Sequence, residues 1–221
     1  MAQITCKDLI LGYDRNVLTS GVSFEVIKGD YIMVLGPKRS GKSMLLECLA
    51  GITKPMGGSI SLGDGIKRNK IAYMPQQMGL SKDSTVTVKE FCLSGCLSGG
   101  GFHPFFTSKD RTKTEEMLER AEIADLKDRA IADLSGGQQK RVFLARTFLT
   151  SADIYLLDEP AAGLDIAAVS KVYSLIERMN REEKVSIVIV PKNIEFAAES
   201  CSHVLMLGED GFYQNADDYF M

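Results

Sequence analysis

The chain has 221 residues, 45% hydrophobic and 25% charged, with 26 basic side chains against 29 acidic ones and a formal net charge of −3. That length buries a sizeable core without a disulfide or metal staple, and the composition excludes disorder, a collagen-like repeat and a coiled-coil rod. Near-balanced charge offers no basic surface of the kind that phosphate-backbone binders carry, so no nucleic acid partner is expected.

Hydrophobic patterning and turn residues predict strands over 3–11, 22–27 and 31–35, punctuated by Gly12, Gly21 and the Lys28-Gly29-Asp30 turn. A helix follows over 42–50, with Met44, Leu45, Cys48 and Leu49 on one side and Gly51 at its end. Short strands come next at 59–62 and 71–74. From 77 to 150 the chain changes character, with helices expected over 86–97, 108–124 and 137–149. Strand and helix then alternate again: strand 154–157, helix 166–180, strand 185–190, a short helix over 194–199 and a closing hairpin over 203–214. The alternation favours a parallel sheet covered on both faces and interrupted by a helical insertion.

No apolar run approaches the roughly 18 to 20 residues that span a bilayer, so no direct membrane span is expected. The amino-terminal run carries Cys6, Lys7 and Asp8 where a signal peptide has an unbroken apolar core. Five scattered cysteines, Cys6, Cys48, Cys92, Cys96 and Cys201, suit free thiols in a reducing compartment. Cys92 and Cys96 share a helical face, but two thiols without further ligands read as packing.

Gly36-Pro37-Lys38-Arg39-Ser40-Gly41-Lys42-Ser43 matches G-x-x-x-x-G-K-[ST], after an apolar strand and opening a helix. In such a loop, backbone N–H groups and a helix amino terminus surround the phosphates of ATP. Lys42 neutralises phosphate charge and the Ser43 hydroxyl ligates Mg²⁺. A second apolar strand ends in Asp158-Glu159-Pro160. Beside a phosphate loop, Asp158 is expected to support the metal, largely through water, and Glu159 to take a proton from the attacking water.

Leu134-Ser135-Gly136-Gly137-Gln138-Gln139-Lys140-Arg141, together with the loop and the acidic strand end, resembles the signature motif of ABC-type ATPases, and the resemblance covers essentially the whole chain. It implies a RecA-like P-loop NTPase fold: an α/β core with a mainly parallel sheet and an antiparallel β subdomain over 1–76 and 151–221, and a helical subdomain over 77–150. It also implies that two ATPase domains, alike or different, close head to tail, so that Ser135, Gly136, Gly137 and Gln138 cover the γ-phosphate held by the partner. Read as local structure alone, Ser135 also suits a helix N-cap. Further matches place Tyr13 on adenine, Gln76 at Mg²⁺ and water, and Asp165 on the loop crossing the dimer interface. Gln77 leaves the register at Gln76 open, Tyr13 is also an ordinary strand-end residue, and Asp165 also suits a helix cap.

Three departures stand out. Lys192, in Val190-Pro191-Lys192-Asn193, holds the place of the family's γ-phosphate histidine; its ammonium donates hydrogen bonds but accepts none. Lys38 and Arg39 replace the common Asn and Gly, and Met44 replaces a second hydroxyl. The extra cations favour nucleotide binding, or equally slow opening after hydrolysis or crowd the partner's signature loop, and Arg39 carries strain where that position needs positive φ. ATP binding with reduced hydrolysis is the expectation.

The single-domain plan resembles the separate ATPase subunit of a transporter, cytoplasmic and peripheral at the inner face of the membrane, working on membrane-spanning permease subunits. Residues 86–91, Leu97 and the aromatics from Phe102 to Phe106 are expected either to shape a docking groove for those subunits or to fill the core of the insertion. The 87–91 and 126–134 segments look most like ATPases of metal-ion or metal-chelate importers. A soluble ABC-type ATPase of iron–sulfur cluster assembly and a nucleotide-gated clamp with little turnover are the alternative readings.

Overall fold

The computed structural model describes the chain except residues 15, 64, 78, 80–83, 100–104, 209–210 and 221; the side chains of 98 and 99 are likewise left aside. The part of the aromatic cluster at 102–104 therefore lies outside the described residues.

Two sheets form the frame. Strands β1 (Ala2–Tyr13), β2 (Asn16–Ile27) and β4 (Gly57–Leu62) make an antiparallel sheet in the order β2-β1-β4. Strands β3 (Tyr31–Leu35), β5 (Ile71–Met74), β6 (Ile154–Asp158), β7 (Ser186–Val190), β8 (His203–Met206) and β9 (Phe212–Asn215) make a second sheet in the order β5-β6-β7-β3-β8-β9. Its pairs are parallel except β8 with β9, which form the expected closing hairpin.

The parallel strands are buried on both faces, which explains their unbroken apolar runs. Along β3, Tyr31, Met33 and Leu35 pack on one side and Ile32 and Val34 on the other. The first side meets α4 (Gly136–Leu149) and α5 (Ile166–Glu183), through residues such as Phe143, Phe148, Val172 and Ile176. The second meets α1 (Lys42–Ala50) and the antiparallel sheet, through Leu45, Leu49, Leu9 and Phe24. The chain thus crosses from β3 to α1 at the carboxyl edge of the parallel sheet, where β6 and β7 also end.

Helices α2 (Val88–Leu93) and α3 (Ser108–Arg120) pack beside α4. Thr87 and Thr107 open them with capping boxes to Glu90 and Asp110. The segment read as either groove or core divides between the two: Val88 and Cys92 are buried, and Phe91 meets Phe143 edge-on at 5.1 Å. Val86, Leu97 and Phe105 are exposed. Cys92 and Cys96 are free thiols, the former pushed up to about 12 by burial, and among the described residues no group of three or more His, Cys, Asp and Glu side chains is placed to hold a metal ion. No described helix is long and apolar enough to cross a membrane.

Several boundaries differ from the sequence reading for local reasons. β2 starts at Asn16, not at 22, because Gly21 takes φ +73° within the strand and the register between Leu9↔Val22 and Leu11↔Thr19 absorbs one extra residue. This is a bulge, and a glycine interior to a strand reads as a break. α2 is short because the chain tightens into a 3-10 helix over Ser94–Gly99. α3 ends at Arg120, before Glu122 turns left-handed at φ 54°. α5 runs three residues further than expected, to Glu183, and stops at left-handed Lys184. The short helices α6 (Ile194–Ala198) and α7 (Ala216–Phe220) complete the chain, the latter unread in the sequence.

Candidate functional site

The phosphate loop joins β3 to α1. Gly36 takes φ 140° and Gly41 φ 92°, and a Cβ at Gly36 would lie 2.4 Å from the Leu207 carbonyl oxygen and 2.8 Å from Ser40 Oγ. Only glycine fits there. Between them Arg39 is left-handed at φ 67°, the conformation that the sequence flagged as strained for this side chain. Lys38 and Arg39 are exposed, whereas Ser40 is buried and its main-chain oxygen accepts a 2.8 Å hydrogen bond from Thr19. Lys42 Nζ donates to the Gly36 and Pro37 carbonyls at 2.8 and 2.7 Å, spanning the loop. Burial lowers the Lys42 pKa against the opposing pull of Glu159 and Asp158.

Met44 has a structural task of its own. It is buried, and its Sδ accepts the Gly12 N–H at 3.1 Å, tying the end of β1 to the start of α1. Tyr13, the next residue of β1, is 57% exposed at the rim. A cavity of about 430 Å³, the scale of a small-molecule site, is lined by Tyr13, Arg39, Gly41, Lys42, Ser43, Met44 and Glu159. Asn16, Leu18 and Val190 line it too; nothing in their local sequence marks them, because they arrive there by strand pairing.

Asp158 and Glu159 stand at the end of β6, which pairs with β7 up to Asp158↔Val190. Glu159 N–H still donates to Val190 O at 2.9 Å, but Glu159 then turns left-handed at φ 44°. Such strain concentrates at functional positions. Asp158 is 2% exposed, and its Oδ1 has no hydrogen-bond partner. Burial raises its pKa, with the Ser43 hydroxyl opposing and Glu159 and Glu47 adding to the effect. A buried, anionic oxygen left unpaired beside a hydroxyl is costly without a cation. The Ser43 hydroxyl and the side-chain oxygens of Asp158 and Gln76 are hard donors of the kind that would suit Mg²⁺.

Gln76, in the loop after β5, donates from Nε2 to Glu159 Oε2 at 2.8 Å. The Gln76 carbonyl in turn accepts a 2.8 Å hydrogen bond from Lys140 Nζ on α4. Lys140 belongs to the motif read in the sequence but carried no assigned role there; five residues from Ser135, its reach to Gln76 depends on the packing of α4 against β5.

Other sequence-selected residues lie elsewhere. Ser135 is the N-cap of α4: its hydroxyl accepts from Gln138 N–H, and Gln138 Oε1 accepts from Ser135 N–H. Gly136 is open: apart from its chain neighbours and its own helix backbone, no described atom lies within 4 Å of a Cβ placed on it. Ser135, Gly136, Gly137, Gln138 and Asp165 line a separate cavity of about 450 Å³ that shares no lining residue with the phosphate-loop cavity. Asp165 also caps α5, its Oδ1 accepting from Ala168 N–H at 2.9 Å. Lys192 is exposed in the turn between β7 and α6 and is not among the residues lining the phosphate-loop cavity.

Comparison with known proteins agrees with this geometry. The ABC transporter family pattern matches residues 19–162. A probable metal transport system ATP-binding protein of Chlamydia pneumoniae is 34% identical over 205 residues, covering 91% of this chain and 79% of that protein. The zinc uptake system ATP-binding protein ZurA of Listeria monocytogenes is 32% identical, covering 89% and 79%. Among solved structures, a putative metal-chelate type ABC transporter in an inward-facing conformation superposes with a TM-score of 0.85 at 24% identity, over 99% of this chain and 85% of that one. At that identity the last likeness speaks for the fold, a P-loop NTPase cassette. The chain therefore belongs to the ABC transporter ATPase family.

Proposed function

We propose that the chain is the ATP-hydrolysing subunit of a metal-ion or metal-chelate uptake system, in which two ATPase subunits close around two ATP and drive separate membrane-spanning subunits. The observation that carries the dimeric reading is the separation of the two cavities. One holds the cationic loop; the other presents the open, capped amino terminus of α4, a site suited to anions. The two share no lining residue within one chain, and a second chain placed head to tail would bring one against the other. The metal cargo rests on the Chlamydia and Listeria relatives; a position at the inner face of the membrane follows only from the proposed membrane-spanning partners.

The chemistry follows from the residues. Loop N–H groups, Lys42 and the exposed Arg39 attract the triphosphate, and Tyr13 offers an aromatic face to adenine. Ser43, Asp158 and Gln76 would hold Mg²⁺, whose charge would neutralise the phosphates. Glu159, oriented by the Gln76 amide, accepts the proton of the attacking water as the bond to the γ-phosphoryl group breaks, giving ADP and phosphate. Lys192 lies where the family has histidine, and as a donor-only cation it orients no water by accepting its proton; turnover is accordingly lower than in a histidine-bearing relative.

Steady-state phosphate release with Mg-ATP tests the reading. Glu159→Gln lowers it by about 100-fold or more while ATP binding persists, and Lys192→His raises it. Release unaffected by Glu159→Gln removes the proposed base; release unaffected by Lys192→His removes the switch argument.

A further inference from the structure

The phosphate-loop cavity has a second wall, made by the hairpin of β1 and β2. Tyr13 ends β1, Asn16 begins β2, and the two are paired across the hairpin. Opposite residues of an antiparallel pair point to one face of the sheet with Cβ atoms about 5 Å apart, so the Asn16 amide stands beside the Tyr13 ring. Both residues are exposed, and both line the cavity. Leu18, two residues on and on the same face of β2, lines it too, and its Cβ lies 3.7 Å from a Cβ placed on Gly41 at the end of the phosphate loop. At about 3.4 Å of rise per residue, Asn16 stands about 7 Å along the strand from that contact. That is the reach of the ribose that separates a base from its phosphates.

We propose that Asn16 determines which base this site takes: with Tyr13 against the face of adenine, the Asn16 amide reads the adenine edge at N6 and N7. The proposal rests on the reading of this cavity as the nucleotide site. Stacking on an aromatic ring is open to every base, so Tyr13 by itself selects none. A carboxamide carries an acceptor oxygen beside an amino donor. Adenine presents the complement, the N6 amino donor beside the N7 acceptor, whereas guanine presents two acceptors, O6 and N7. A purine nucleotide in the anti orientation carries its N7 side towards the phosphates, the direction in which Leu18 meets the loop at Gly41. The amide oxygen therefore gains a hydrogen bond from adenine and meets an acceptor in guanine. Arg39 and Lys42, the cations lining the same cavity, act on phosphates that both nucleotides share and do not tell them apart.

The test is competition of ATP, GTP and 7-deaza-ATP, which has carbon in place of N7, against a fluorescent ATP analogue on the full chain with Mg²⁺. All three carry the same triphosphate, so a disturbed hairpin moves their affinities together and leaves the ratios alone. The parent is expected to bind ATP about fivefold to tenfold more tightly than GTP, the low end of what one bidentate base contact discriminates, and about threefold more tightly than 7-deaza-ATP. Asn16→Ala is expected to weaken ATP by about fivefold to tenfold and GTP by less than about twofold, so that the two bind alike. Asn16→Asp keeps the acceptor and loses the donor: it is expected to bind ATP and 7-deaza-ATP alike, and both more tightly than GTP. ATP and GTP within about twofold of each other in the parent, or an ATP-to-GTP ratio in Asn16→Ala equal to the parent's, overturns the proposal. So does equal affinity of the parent for ATP and 7-deaza-ATP. Lys42→Ala separates this from the underlying reading: it weakens all three nucleotides if the cavity holds the triphosphate, and unchanged binding there overturns the nucleotide site itself.

Discussion

Replacing Asp158 by Asn exposes the conflict between stability and function at this site. Asp158 is 2% exposed with Oδ1 unpaired, and burial is the main cause of its raised pKa. A folded-state pKa above the unfolded value means that the folded chain binds more protons in the window between them, so stability falls as pH rises through that window and stays reduced above it. Asn has the same shape and no charge. At pH 7 and without ligand the variant is therefore more stable, by about 0.5–2 kcal/mol as is usual when a strained functional site is relieved. For a chain of this size that is a rise in Tm of a few degrees, at about 2–4 °C per kcal/mol. The gap closes as pH falls to 3.8, the ordinary Asp value, and below. Saturating Mg-ATP reverses the order: ligand at about 100 times Kd stabilises the parent by about 2.7 kcal/mol, and the variant loses most of that gain. Differential scanning calorimetry with and without Mg-ATP measures both arms. A variant that melts below the parent without ligand, or that gains as much from Mg-ATP, refutes the reasoning.

Two further outcomes follow from the loop. Gly36→Ala places a methyl group 2.4 Å from the Leu207 carbonyl oxygen at φ 140°, so urea unfolding should reveal a loss of about 2 kcal/mol or more, and a loss under about 0.5 kcal/mol contradicts the observed packing. Arg39→Gly relieves about 1 kcal/mol of left-handed strain and gives back a similar amount in unfolded-chain entropy, leaving Tm nearly unchanged. The same change removes a cation from the cavity rim; a fluorescent ATP analogue should bind several-fold more weakly and with less salt dependence. Equal affinity at low and high salt in both proteins would show that Arg39 does not face the phosphates.

Much of the site was legible because its chemistry is local. Gly36 to Ser43 is one turn between a strand and a helix, Asp158 and Glu159 are consecutive, and Ser135 is a cap-type residue at the start of its own helix. The strands of the parallel sheet were readable because burial on both faces removes polar residues from the run. The start of β2 was not, since the strand continues through Gly21 only because β1 supplies its hydrogen bonds across the bulge. Met44 showed as a missing hydroxyl in sequence, whereas its buried Sδ and the Gly12 N–H became partners through the approach of β1 to α1.

By itself the sequence determined the kinds of element, the phosphate loop, the acidic strand end and the family, because each depends on residues a few positions apart, where backbone geometry and side-chain type act directly. Only the tertiary structure decided the strand order β5-β6-β7-β3-β8-β9, the choice of Gln76 as the residue that reaches Glu159, the Lys140 hydrogen bond behind it, and the separation of the Ser135 helix end from the phosphate loop. Those relations join residues tens of positions apart, and no local preference encodes them: they are set by which buried faces of the two sheets and the helices pack together.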